Sequence, residues 1–128
     1  LHIEKNFDNS ITEISTDLGL LRMIVTNLYT NAVKYSRVGG EINISFARSG
    51  GDLQIEIKDT GMGIPTSEQA RIFSKIFRAS NAIKEVPDGT GLGLYILKKA
   101  VESLQGRVTF VSAEDMGTTF TVVIPTSI

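Results

Sequence analysis

The sequence predicts an α+β fold, a two-layer sandwich in which helices cover one face of a mixed, mostly antiparallel sheet. Two long stretches, residues 18–35 and 91–104, carry apolar residues at helical spacing. Other, shorter stretches alternate apolar and polar residues and come in pairs that are joined by turns. Paired alternating strands predict an antiparallel sheet with one apolar face, and the helices form the layer that covers it.

The first part of the chain predicts two strands and then a long helix. Alternating runs at residues 2–7 and 11–15, separated by Asp8-Asn9-Ser10, are typical of a pair of strands. Asp17 is placed to cap the helix at residues 18–35, and Gly39-Gly40 ends that stretch. The helix has an apolar face made of Leu21, Ile24, Val25, Leu28 and Ala32.

Two hairpins and two further helices follow. Residues 41–48 and 53–58 alternate around the turn Ser49-Gly50-Gly51-Asp52, which predicts a hairpin. Residues 66–72 predict a short helix and residues 91–104 a longer one, after which residues 106–111 and 118–124 form a closing hairpin. Residues 78–88 show no consistent period, so we expect a mobile segment there.

Composition narrows the class of protein. A chain of 128 residues fits a single domain, residues 1–128, and can bury a core. Its formal net charge of −1 offers no general attraction to nucleic acid or to an anionic membrane. It has no cysteine, which excludes disulfides and thiolate metal sites. The chain begins at Leu1 rather than Met, so we expect a fragment of a longer protein.

Asp59 follows a strand in which Leu53, Ile55 and Ile57 point to the apolar side, and the period of two places Asp59 on that side as well. A buried carboxylate is costly unless it accepts hydrogen bonds. One interpretation is a turn aspartate that fixes Gly61. The other is an acceptor for an exocyclic amine such as that of adenine, because Gly61 and Gly63 would let the backbone approach a flat base.

The long helix carries a polar face. Asn27, Asn31 and Lys34 are four and three residues apart and share this face, with Tyr35 at its edge. An unsatisfied buried amide costs roughly 1–3 kcal/mol, so these amides need a defined partner. That partner could be an Asn–Asn hydrogen bond, or it could be Mg²⁺, which accepts amide oxygens and completes its shell with water and phosphates.

A glycine triplet opens the last helix, in the run Gly89-Thr90-Gly91-Leu92-Gly93-Leu94. Glycines before a helix expose backbone N–H groups, and the helix dipole adds positive charge, so the run can bind phosphates. The run lacks the Gly-Lys-Ser/Thr of a P-loop, and its spacing differs from that of a dinucleotide fingerprint. A plain turn at the start of a helix is the alternative.

Together these motifs resemble the catalytic and ATP-binding domain of sensor histidine kinases, in the superfamily that includes gyrase, heat-shock chaperone and mismatch-repair ATPases. The resemblance covers nearly the whole chain. The helix from Asp17 to Ser36 resembles the N box of that family, and Gly117-Thr118-Thr119-Phe120 its final glycine box. The remaining three signatures resemble the G1, F and G2 boxes, at residues 59–65, 72–78 and 89–94 respectively.

The resemblance implies roles for these residues. Asn27, Lys34 and Arg78 become the candidate catalytic residues, and Asn31 with Asn27 the candidate Mg²⁺ ligands. At the position of Asn27 the ATPase relatives place a general base, and an amide cannot accept that proton. The ATP-binding set implied by the motifs is Asn31, Lys34, Tyr35, Asp59, Gly61, Gly63, Ile64, Lys75, Gly89, Thr90, Gly91, Leu92, Gly93, Leu94 and Thr118.

Some of these roles are more specific than others. Asp59 would accept a hydrogen bond from the adenine amine. Thr118 lies on the same face of its strand as Phe120 and would join a water network at the base. Residues 78–88 would form an ATP lid over the phosphates. Lys75 and Arg78 could bring positive charge to the phosphates, and a solvated surface role also fits both residues. Two positions depart from the family pattern: Ile76 replaces an F-box aromatic residue, and Asp115 replaces the first glycine of the final box.

The family resemblance also implies partners. A histidine kinase needs a phosphoacceptor histidine, and the single histidine, His2, lies in a predicted strand. We therefore expect the acceptor on an upstream dimerisation domain, with a response regulator receiver domain as an indirect partner. We expect a cytoplasmic domain without direct contact to nucleic acid or membrane. Two alternatives stay open: a non-catalytic nucleotide-binding regulatory module, and a serine kinase of the anti-sigma type.

Overall fold

Five strands form one sheet in the computed structural model of the chain, which describes residues 2–7, 17–74 and 93–126. The spatial order is β1-β2-β3-β5-β4. Strand β1 runs parallel to β2, and every other neighbouring pair is antiparallel. The sheet is therefore mixed and mostly antiparallel, as the sequence predicts. The strands are β1 (His2–Phe7), β2 (Glu41–Ser49), β3 (Asp52–Asp59), β4 (Arg107–Ala113) and β5 (Gly117–Pro125).

Helix α1 (Leu18–Tyr35) has the bounds that its apolar spacing predicts. Its N-cap is Asp17, whose side chain accepts a hydrogen bond from the Leu20 backbone N–H at 3.0 Å. This bond satisfies one of the amide groups that a helix leaves without a partner in its first turn. Helix α2 (Gly93–Ser103) packs against α1, and both helices bury apolar residues against one face of the sheet.

The core lies between the helices and the sheet. The completely buried side chains include Ile24 of α1 and Leu97 and Val101 of α2. The sheet contributes the inward residues of its three central strands, Ile42, Ile44, Leu53, Ile55, Ile57, Phe120, Val122 and Ile124. Phe73 packs edge-on against Phe110 and Phe120 and closes this core beside the edge strand β4.

Four predicted elements differ in detail from the structure or fall outside it. The short helix is a 3₁₀ helix at Thr66–Arg71, and the i to i+3 hydrogen bond from Glu68 N to Pro65 O, 2.9 Å long, opens it. Strand β1 pairs in parallel with β2. The second predicted strand of the first pair, residues 11–15, and the predicted lid, residues 78–88, lie outside the described residues. In the part of the chain that the structure describes, no helix is long and apolar enough to cross a membrane.

Candidate functional site

One end of the inner sheet face is polar where the rest is apolar. Phe110, Phe120 and Ile57 lie side by side on β4, β5 and β3, and the next row toward the strand ends is Ser112, Thr118 and Asp59. We call these last three residues the polar row. Asp59 and Thr118 are each only 7% exposed. The inward direction that alternation predicts for both residues is confirmed.

Asp59 is held by backbone amide groups. Its Oδ1 accepts a hydrogen bond from Gly61 N–H at 2.9 Å, and the backbone N–H of Thr118 also reaches the carboxyl group. Burial removes water from the carboxylate and raises the pKa of Asp59 above its ordinary value, and the two backbone hydrogen bonds oppose this rise. The turn aspartate that fixes Gly61 is therefore present in the structure. That contact does not exclude a ligand, because a carboxylate has further lone pairs.

The loop after Asp59 requires glycine at two positions. A Cβ at Gly61 would collide with the Tyr35 carbonyl oxygen, and a Cβ at Gly63 would collide with that of Ala113. Gly63 also has a φ of +67°, a backbone conformation that residues other than glycine rarely adopt. The neighbouring Met62 N–H donates to Tyr35 O at 3.3 Å. The loop is thus packed between the end of α1 and the β4–β5 hairpin.

The polar face of α1 begins beside the start of α2. The Asn27 side-chain amide donates to Met23 O at 2.9 Å, so the amide is oriented by its own helix. This orientation directs Asn27 Oδ1 toward α2, where it lies 3.8 Å from the position that a Cβ of Gly93 would take. Asn31 follows one turn later and is half-buried. Two amides therefore line the same face of α1, and Asn27 presents its oxygen to the glycine that starts α2.

Lys34 and Tyr35 lie at the end of this helix face. Lys34 is exposed, and its Nζ lies 6.0 Å from the centroid of the Tyr35 ring. Tyr35 is half-buried against the core. No group of three or more histidine, cysteine, aspartate or glutamate side chains that could hold a metal ion occurs within the residues the structure describes. The side-chain oxygens of Asn27 and Asn31 are of the kind that a hard cation accepts as ligands.

The structure brings together part of the predicted site. Asp59, Gly61, Gly63 and Thr118 lie at one end of the sheet, and Ile64 joins them because its backbone N–H donates to Ser112 Oγ at 2.8 Å. Leu94, in the first turn of α2, packs against the core. The remaining predicted residues lie outside the described part of the chain, and they are Lys75, Arg78, Gly89, Thr90, Gly91 and Leu92.

Two residues that the sequence did not single out hold the site together. The Gln69 side chain donates to Ile64 O at 3.1 Å and to Ser112 O at 2.9 Å. Ser112 Oγ lies 2.8 Å from Thr118 Oγ1 and also contacts Gly117 O. Ser112 has the same parity as Val108 and Phe110, so a strand extended to include it would have identified it as inward-facing.

Asp115 lies where the family pattern has glycine. Its φ of +64° explains that preference, because glycine adopts this conformation most easily. Aspartate tolerates this conformation better than most residues do. Its backbone N–H donates to Met62 O at 2.7 Å, and its carboxylate pairs with Arg37 at 2.8 Å. The departure from the family pattern therefore leaves the turn docked against the loop that follows Asp59. The other departure, Ile76, lies outside the described residues.

Comparison with known families agrees with this geometry. The family model described as histidine kinase-, DNA gyrase B- and HSP90-like ATPase matches residues 16–128. The chain belongs to this family. The match contains every described residue of the site and both helices.

Its curated relatives include longer histidine kinases. The sensor-like histidine kinase SenX3 of Mycolicibacterium smegmatis is 37% identical over 92% of this chain and 33% of its own length. The circadian input-output histidine kinase CikA of Synechococcus elongatus is also 37% identical, over 98% of this chain and 17% of its own length. The chain thus spans a third or less of these two relatives.

Solved structures show the same fold. The mycobacterial sensor histidine kinase MprB superposes with a TM-score of 0.83 at 28% identity, and the match covers 98% of this chain and 83% of that one. Full-length ShkA in complex with AMPPNP superposes with a TM-score of 0.82 at 28% identity, and the match covers 98% of this chain and 26% of that one. The chain is therefore an ATPase domain of the histidine kinase type.

Proposed function

We propose that this domain binds Mg²⁺-ATP and supplies the phosphoryl-transfer machinery that modifies a histidine on a separate dimerisation domain. The observation that carries the proposal is the polar row. It places the buried carboxylate of Asp59 at one end of a sheet face that is otherwise apolar. There, Asp59 accepts a hydrogen bond from the exocyclic amine of adenine. The flat base lies against the Gly61–Gly63 backbone, where glycines keep the surface free of side chains.

In this proposal the polar face of α1 faces the phosphates. Asn31 and Asn27 offer amide oxygens to Mg²⁺, which neutralises phosphate charge during transfer when it is bound. The residues present fit such an ion, because the Asn27 amide is oriented by Met23 O and directs its oxygen toward the start of α2. Lys34 is exposed on the same face and can meet a phosphate oxygen.

The acceptor and the downstream partner follow from the same proposal. SenX3 and CikA are named histidine kinases and are several times longer than this chain, which supports an acceptor domain elsewhere in a longer protein. A response regulator receiver domain would then take the phosphoryl group from that histidine. The domain would act in the cytoplasm, where ATP is available.

Calorimetric titration with ADP and Mg²⁺ tests the nucleotide site. We expect the chain to bind ADP and the variant Asp59→Asn to bind it at least about tenfold more weakly, because loss of a charged acceptor costs on the order of 1.5–3 kcal/mol. Asp52→Asn is the matched control, since Asp52 begins the same strand at its opposite end. Equal affinity of the parent and Asp59→Asn would refute the assignment of Asp59 to the base.

A further inference from the structure

Ser112 and Thr118 are directly opposite each other on β4 and β5, and their hydroxyl oxygens are 2.8 Å apart. Ser112 Oγ makes two more contacts. It accepts a hydrogen bond from Ile64 N–H at 2.8 Å, and it donates to Gly117 O at 3.2 Å. Three polar groups therefore lie within hydrogen-bond distance of one hydroxyl.

The one proton and two lone pairs of Ser112 limit the direction of the bond between the two hydroxyl groups, in which the geometry alone allows either oxygen to be the donor. A serine hydroxyl has one proton and two lone pairs. The carbonyl of Gly117 can only accept, and we assign the Ser112 proton to it, while Ile64 N–H takes one lone pair. The second lone pair of Ser112 then accepts the Thr118 proton. Thr118 is left with lone pairs only, beside a carboxylate that also only accepts.

We infer that Ser112 is a positioning residue that makes Thr118 a hydrogen-bond acceptor and so selects 6-amino purine nucleotides over 6-oxo purine nucleotides. The inference rests on the proposed adenine site. Adenine carries an amino group at C6, which donates to acceptors such as Asp59 and Thr118. Hypoxanthine carries an oxygen at C6, and this oxygen finds no donor in a polar row that presents acceptors alone.

Removal of the Ser112 hydroxyl would change this selection. In Ser112→Ala the Thr118 proton loses its partner and can turn toward the ligand, where it donates to a 6-oxo group. The Ile64 N–H also loses its acceptor, and the loop after Asp59 loosens. The looser loop weakens the binding of every nucleotide alike. The freed Thr118 proton strengthens only the binding of the 6-oxo base. The ratio of the two affinities therefore separates the positioning role from a structural one.

The test is calorimetric titration of the whole chain with ADP and with inosine diphosphate. We expect the parent to prefer ADP, and Ser112→Ala to lower the ratio of ADP to inosine diphosphate affinity by roughly fivefold or more. Ser112→Thr keeps the hydroxyl and should restore the ratio of the parent. The matched control is Ser103→Ala, which removes an exposed hydroxyl bonded to Lys99 O at the end of α2 and should leave both affinities unchanged.

A second variant covers the case in which Ser112→Ala does not fold. Thr118→Val removes the acceptor without any new donor, so the ratio should again fall, through weaker ADP binding. A ratio that stays constant or rises in either variant overturns the role of Ser112. If the parent binds neither nucleotide, the proposed adenine site fails as well. If the parent binds ADP and the affinity ratio of Ser112→Ala equals that of the parent, only this inference is refuted.

Discussion

At the scale of the residue, Asp59 must meet two opposing requirements. Recognition of an amine needs an ionised carboxylate, whereas burial under the helices favours the neutral form and raises the pKa of Asp59. The backbone N–H groups of Gly61 and Thr118 reduce the cost without removing it. In the proposed site, Asp59 would therefore serve ligand binding at the expense of stability, as polar groups in functional sites often do.

The raised pKa of Asp59 gives a prediction for stability against pH. Between the ordinary pKa of an aspartate and the raised value, the folded state holds more protons than the unfolded state. The contribution of Asp59 to the free energy of unfolding is therefore greatest below this window and falls as the pH rises through it. Asp59→Asn lacks this titration, so its free energy of unfolding relative to the parent should increase as the pH rises toward neutral.

Urea unfolding of the parent and of Asp59→Asn at a series of pH values from about 4 to 7 measures this difference. Asp52→Asn, at the turn that joins β2 to β3, should follow the parent. If Asp59→Asn instead loses stability relative to the parent as the pH rises, the ionised carboxylate stabilises the fold. The turn interpretation of Asp59 would then account for its burial without a ligand.

At the scale of the element, α1 performs two tasks with two faces. Ile24, Leu28 and Ala32 are buried against the sheet, whereas Asn27 and Asn31 lie beside this stripe. Asn27 directs its oxygen to the start of α2, and the proposed site would place a cation and phosphates beside it. The helix is thus both a core element and one wall of the proposed site.

Asn31→Ala should reduce phosphoryl transfer more than it reduces ADP binding. Mg²⁺ acts mainly on the transferring phosphates, so the loss of one ligand affects the transfer step most. The assay compares transfer to a separately supplied phosphoacceptor domain with the calorimetric affinity for ADP. Thr30→Ala, which changes the adjacent exposed residue, is the control and should change neither quantity. Equal losses of binding and transfer in Asn31→Ala would indicate a structural role for the amide.

The elements also show what the sequence could and could not predict. The bounds of α1 and the inward direction of Asp59 and Thr118 followed from local periodicity, because helix spacing and strand alternation are local properties. Ser112 was missed because the predicted strand ended at residue 111, whereas β4 continues to Ala113. Pairing with β5 extends β4, and a single segment carries no signal of its partner.

The parallel pairing of β1 with β2 illustrates the same limit. Alternation at residues 2–7 predicts a strand but contains no information on its neighbour or direction. The structure pairs it with a strand almost forty positions later, in the register His2 opposite Glu41. A contact between segments so distant in sequence depends on the assembled sheet, so local alternation could not predict it.

At the scale of the whole molecule, the polar row and the core share one surface. The row of Phe110, Phe120 and Ile57 lies directly beside the polar row, and Phe73 packs on the two aromatic residues of this row. Gln69 and Ser112 tie the loop after Asp59 to β4. A ligand bound at the polar row would therefore stabilise the sheet and the loops that pack on it, and unfolding of the domain would release that ligand.

This coupling leads to a prediction for ligand-linked stability. A ligand that binds only the folded state, at a concentration one hundred times its Kd, raises the free energy of unfolding by about 2.7 kcal/mol. We expect ADP with Mg²⁺ at that concentration to shift the thermal unfolding of the parent to higher temperature. The same concentration should shift Asp59→Asn much less, and Asp52→Asn as much as the parent. An equal shift in all three proteins would place the bound nucleotide away from the polar row, because a site that does not use Asp59 is insensitive to its charge.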